Sequence, residues 1–163
     1  MPNDKIYLPH SRTCFVCGEE NLAGLQLRFF VEGQCVKTMV RPKPHHCGYM
    51  NVVHGGIVAA LLDETMGWAA NRALARMTVT GELKVRYKLP VPGDRDLIVI
   101  AEITKSSRRL AYTKAVITDQ SGTEYATAEA SFLPLSVDET LVIDQHLVYR
   151  GDEERIFDSL RQE

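Results

Sequence analysis

Two features near the middle of the chain have the residue types and spacing that chemistry needs. These are His54-Gly55-Gly56 and, nine residues after the histidine, Asp63. Glycines opening a helix leave backbone N–H groups bare at the positive end of its dipole, a place for an anion or a developing oxyanion. Asp63 and Glu64 are the only charges between His54 and Arg72. A carboxylate in so apolar a run is costly unless it is paired, hydrogen-bonded or used. On a helical wheel Asp63 shares its face with Gly56, Ala59, Ala60, Gly67 and Ala70, side chains small enough for another group to approach the backbone. Glu64 sits beside Ile57, Ala60, Leu61 and Trp68 and reads as an exposed or interface charge. Asp63 is therefore the residue expected to do chemistry.

The elements that must hold these groups follow from hydrophobic period. From Ile57 onward the run is apolar almost all round, which predicts a buried helix rather than a surface one, ending near Leu74. Upstream, Leu25 to Val31 reads as a strand, Glu32-Gly33-Gln34 as a turn, and Cys35 to Val40 as a second strand. Downstream the period changes to two. In Val79 to Lys88, Val79, Gly81, Leu83, Val85 and Tyr87 alternate with polar partners, the pattern of a half-buried strand. Leu97 to Thr104, Leu110 to Thr118 and Thr123 to Leu133 follow as strands, the first two joined by the basic loop Lys105 to Arg109. Ile156, Phe157 and Leu160 suggest a short terminal helix. Residues 1–24 form a lead-in with a Cys-x-x-Cys, 25–135 the main domain, and 136–163 a C-terminal extension. The expected class is α+β, a curved antiparallel sheet wrapped around one long central helix. A sheet alone does not enclose so apolar a helix, so part of it is expected to meet a partner chain.

Composition narrows the function classes. A net charge of −2 with 25% charged residues gives no basic excess for nucleic acid. The polar start, Met1 to Lys5, lacks the apolar core of a signal peptide, and no run is long enough to span a membrane. The expectation is a cytoplasmic protein whose four cysteines stay reduced. Cys14 and Cys17, with Cys35, His45, His46 and Cys47 elsewhere, raise the question of zinc. One Cys-x-x-Cys without a second spaced pair argues for small buried thiols instead, so no metal is expected.

With these residues in place, the chain resembles hotdog-fold acyl-CoA thioesterases of the phenylacetate-degradation (PaaI) type, over about residues 14 to 135. The resemblance rests on His54-Gly55-Gly56 with Asp63, on Cys-x-x-Cys-Gly and Gly24-Leu25 upstream, and on Tyr87-x-x-Pro90 and Gly122 downstream. It implies a hotdog fold and hydrolysis of an acyl-CoA to a free acid and coenzyme A, without a cofactor. Asp63 would be the general base that activates water, or the nucleophile. The Gly55 N–H would hold the oxyanion, His54 would position the thioester or its loop, and Thr80 would orient the water. Gly56 and Asn51 would line the substrate site, and Arg108 and Arg109 would meet the phosphates of coenzyme A, for which the planar arginine fork is suited. Relatives often carry Asn six residues before the histidine; here that position is Gly48. Two rivals remain: a hotdog hydratase or dehydratase, and a non-catalytic acyl-CoA-binding protein.

Spacing adds one expectation about assembly. Eight or nine helical residues separate His54-Gly55 from Asp63 by roughly 12–13 Å, too far for both to act on one thioester carbon. A two-fold dimer with antiparallel helices would bring the start of one beside the middle of the other. The resemblance likewise implies a homodimer or homotetramer with active sites shared between chains.

Overall fold

In the computed structural model, which describes residues 5–162, thirteen main elements follow one another. They are β1 (Ile6–Tyr7), β2 (His10–Ser11), β3 (Phe29–Glu32), β4 (Cys35–Val40), β5 (Cys47–Tyr49), β6 (Val52–Val53), α1 (Gly55–Leu74), β7 (Thr78–Tyr87), β8 (Leu97–Ser107), β9 (Leu110–Asp119), β10 (Glu124–Pro134), α2 (Val137–Asp144) and β11 (Leu147–Val148). The expectation for Met1 to Asp4 lies outside the described residues.

The long helix runs where its apolar pattern places it. His54 caps its start and Ala75 ends it in the left-handed conformation, φ 48°. Val58, Leu61, Leu62, Met66, Trp68 and Ala70 are buried along it, and each large side chain so removed from water contributes about 1.5–3 kcal/mol. Thr65, also buried, returns its hydroxyl hydrogen to Leu61 O at 2.7 Å, so it leaves no unpaired donor in the core.

One antiparallel sheet in the order β1-β3-β4-β8-β9-β10-β7 wraps this helix. Its inner face alternates as the period of two requires: Leu97, Val99 and Ala101 on β8, Ala111, Ala115 and Ile117 on β9, Ala126, Ala128, Ala130 and Phe132 on β10. The small alanines on β9 and β10 let α1 lie close against the sheet. This is the hotdog arrangement expected.

The sheet order departs from the chain order, with β7 paired to β10 at the sheet's end and β8 paired to β4. Two local expectations need correction. The strand expected from Leu25 begins only at Phe29. Gln26 takes a left-handed φ of 52°, and Leu25 and Leu27 donate instead to Phe15 O and Val16 O in the lead-in. The basic loop shrinks to a two-residue tip, since Lys105 to Ser107 belong to β8.

Lead-in and extension pack on the same body. β1 joins the main sheet through β3, and β2 pairs with β11. Arg28 meets the buried carboxylate of Glu153 at 2.9 Å, and Arg72 of α1 grips Glu154 through two bonds of 2.5 and 3.0 Å. The terminal helix is a 3₁₀ turn, Asp158–Gln162, with Leu160 buried within it and Phe157 buried just before it. α2 escaped the sequence reading although its signal was there: Ser136 and Glu139 close a reciprocal capping box. No helix is long and apolar enough to cross a membrane among the described residues.

Candidate active site

The residues around Asp63 are set by one irregularity in β7. Ser131 of β10 pairs with Glu82, but the next residue, Phe132, pairs with Thr80, so Gly81 is an extra residue in the strand. A bulge of this kind reverses which side chains face the core. Thr78 and Thr80 face inward before it, and Leu83 and Val85 pack inward after it. The expected strict alternation, with Val79 on the apolar face, is therefore wrong: Val79 is 49% exposed. Gly81 suits the bulge because a Cβ there would lie 2.6 Å from Leu133 Cδ1.

Three side chains of β7 then bond to α1 along its length. Tyr87 Oη donates to Gly55 O at 2.7 Å, Thr80 Oγ1 to Asp63 Oδ1 at 2.8 Å, and Thr78 Oγ1 to Asn71 Oδ1 at 2.8 Å. Burial raises the Asp63 carboxyl above its ordinary range, while the Thr80 bond works in the opposite direction. One carboxylate oxygen is thus fixed by Thr80, and a carboxylate has further acceptor capacity on the other. Asp63 and Thr80 line one cavity, together with Gly67, Trp68 and Phe132.

The start of α1 forms a second cavity, lined by Gly48, Tyr49, His54, Gly55, Tyr87 and Pro90. His54 Nδ1 accepts the Gly56 N–H at 2.9 Å. That bond places the neutral ring's proton on Nε2, and it occupies the Gly56 amide that the sequence assigned to substrate. Gly55 is the first helical residue, so the helix itself cannot satisfy its N–H. Gly48 lies under the His54 ring, where a Cβ would come within 3.3 Å of Cδ2. The missing asparagine side chain at that position leaves room for the ring.

Within one chain the predicted residues are only partly brought together. Asp63 with Thr80, and His54 with Gly55, line different cavities. Asn51 adopts a left-handed turn, φ 58°, and its carbonyl accepts the Gly93 N–H at 3.1 Å, so backbone geometry accounts for its position. Arg108 and Arg109 are exposed at the β8–β9 tip and line neither cavity. Tyr87, whose hydroxyl fixes the helix start, has no site role in the sequence reading, where it is an alternating strand residue and part of Tyr87-x-x-Pro90.

Glu64 departs from its expected role. It is not an exposed charge: its carboxylate is pushed up to about 8, first by burial and then by the neighbouring Cys14. Cys17 Sγ and Cys14 Sγ approach its Oε1 at 3.5 and 3.7 Å. Cys35 and Cys47 belong to other parts of the fold, and His46 accepts the Lys43 N–H.

Comparison with known proteins agrees with the fold. Residues 50–126, which contain His54, Asp63 and Thr80, match the thioesterase superfamily model. A solved thioesterase-superfamily protein is 26% identical with a TM-score of 0.69, covering 75% of this chain and 60% of that one. A Bacillus halodurans protein solved with CoA is 31% identical with a TM-score of 0.57, covering 61% of this chain and 66% of the other. An uncharacterised protein of Schizosaccharomyces pombe is 27% identical over 99 residues, 59% of this chain and 57% of that protein. The chain thus spans well under two thirds of the length of the yeast relative and of the first structure. By the match over residues 50–126 and by its hotdog fold, the chain is similar to proteins of the thioesterase superfamily.

Proposed function

We propose that the chain hydrolyses an acyl-CoA thioester to a free acid and coenzyme A, at a site assembled from two copies. The observation that carries this reading is the Thr80–Asp63 pair on the open, small-residue face of α1. Asp63 takes a proton from water, whose oxygen adds to the thioester carbon. The carbonyl oxygen becomes an oxyanion held by the Gly55 N–H at a helix start. Collapse breaks the C–S bond, and the proton held by Asp63 passes to the departing thiolate. His54 keeps the helix start in place through the Gly56 N–H, and Tyr87 does so through Gly55 O. No metal or cofactor takes part in this scheme. Supporting the thioester handle, the 31% identical Bacillus halodurans protein was solved with CoA.

Two observations support a shared site. The base and the oxyanion donor line separate cavities of one chain. The ten-residue strand β7 ends the sheet with its far edge unpaired among the described residues, and Tyr87 on it is 52% exposed. An edge of that length is a template for a second copy. Antiparallel pairing of two β7 strands about their centre sets Thr80 opposite Val85 of the second copy. Tyr87 of that copy, with the Gly55 it holds, is then two residues away, roughly 7 Å at ~3.4 Å per residue. The half-sites meet.

A thiol-release screen across short, long and aromatic acyl-CoAs tests the reading. Turnover of at least one class, abolished in Asp63→Asn, is the expected result. Stoichiometric binding of coenzyme A esters with no thiol released by any would make the chain a binding protein instead.

A further inference from the structure

Cys14, Cys17 and Glu64 take no part in the hydrolysis described above, yet their ligand atoms all lie within 4.8 Å of one another. The two thiols come from the lead-in and the carboxylate from the middle of α1. We propose that these three residues bind a thiophilic divalent cation, with zinc the best fit, which ties the lead-in to the central helix.

The distances fit. Tetrahedral zinc holds thiolate sulfur at about 2.3 Å and carboxylate oxygen at about 2.0 Å, which sets sulfur and oxygen about 3.5 Å apart across the ion. Cys17 Sγ and Cys14 Sγ stand 3.5 and 3.7 Å from Glu64 Oε1. Both thiols converge on the same oxygen, as two ligands do around a shared centre.

The loop is also built around sulfur. Val16 donates its backbone N–H to Cys14 Sγ at 3.3 Å, a bond that favours thiolate, the form a metal takes. Gly18 N–H closes the turn on Cys14 O at 2.8 Å. The turn is so tight that a Cβ at Gly18 would lie 2.4 Å from that oxygen, so the glycine of Cys-x-x-Cys-Gly is required by the wrap. Next, Leu25 and Leu27 donate to Phe15 O and Val16 O, locking the backbone between the cysteines. Only the side chains are left free to choose a partner.

The alternative is a pair of S–H···O hydrogen bonds. Thiols are weak donors, and two of them are poor compensation for a carboxylate drawn into the protein. A cation between the three would satisfy the carboxylate and both sulfurs at one centre. Three protein ligands leave a fourth position for a water molecule.

The test uses the full chain, reduced and freed of metal, titrated with Co(II) and followed by absorbance. One Co(II) per chain with a thiolate-to-metal charge-transfer band, displaced by one equivalent of Zn(II), is the expected result. The band should be lost in the Cys14→Ser, Cys17→Ser double variant and weakened in Glu64→Gln, each checked for folding by circular dichroism. If the double variant does not fold, the wild-type spectrum and Glu64→Gln decide. No stoichiometric Co(II) binding by the wild type, a spectrum without the thiolate band, or binding unchanged in a folded variant would overturn the proposal. Activity does not enter this readout, so its outcome is independent of whether the chain hydrolyses thioesters.

Discussion

Thr80 Oγ1 donates to Asp63 Oδ1 at 2.8 Å, across seventeen residues of sequence and between two different elements. The bond exists because Gly81 adds one residue to β7 and turns Thr80 from the outer face to the inner. A hydroxyl that holds one carboxylate oxygen fixes where the other points. Hydrogen bonds to charged groups contribute about 1.5–3 kcal/mol, so Thr80→Val should lower kcat by ~10–100-fold. Thr80→Ser keeps the donor and should recover most of it. Equal losses in the two variants, measured on the best substrate of the acyl-CoA screen, would mean that the hydroxyl does not act through Asp63.

Much of this arrangement was legible beforehand, and the reasons are local. The helix from Gly55 to Leu74 declared itself because its apolar run is long and its glycine start is distinct. The last strand did so because alanines and Phe132 alternate without interruption. The bulge was not legible. Val79, Gly81 and Leu83 fit a period of two perfectly, and only the pairing with β10 shows that Gly81 is the extra residue. Leu25 and Leu27 likewise show the right burial for the wrong reason: they pack from a loop closed on the lead-in, not from a strand. Glu64 was misjudged because a wheel of one helix cannot show that Cys14 and Cys17, some fifty residues earlier, fold over it.

The β9–β10 turn carries a pH signature. Asp119 accepts from Ser121 Oγ at 2.6 Å, Tyr125 Oη at 2.7 Å, and the N–H groups of Ser121 and Thr123 at 2.9 and 3.1 Å. The Ser121 hydroxyl first, then Tyr125, holds its carboxyl well below the usual range. A depressed folded value means the contribution is present above the unfolded carboxyl value, ~3.9, and is lost as pH falls toward the folded one. Denaturant midpoints of wild type and Asp119→Ala should therefore differ by a constant amount above about pH 5 and converge on acidification. A gap that widens with acid would contradict this.

Arg108 and Arg109, at the exposed β8–β9 tip, should act on the substrate handle or not at all. If they meet the coenzyme's phosphates in the assembled enzyme, replacing both with alanine raises KM for acyl-CoA far more than for a truncated thioester lacking the nucleotide. Equal changes for both substrates would leave the tip without that role.

The most direct measurement of the account is subunit mixing. Asp63→Asn removes the base, and Gly55→Pro removes the proposed oxyanion N–H. Proline is tolerated at the first helical position, and His54, at φ −57° and ψ 134°, already has the extended backbone that precedes proline. Each variant alone should be inactive. After random exchange of equal amounts, half the dimers are mixed, and each of those holds one intact site and one with both defects. Activity should then return to about one quarter of wild type. No recovery despite demonstrated exchange, or an active monomer, would contradict a site built from two chains.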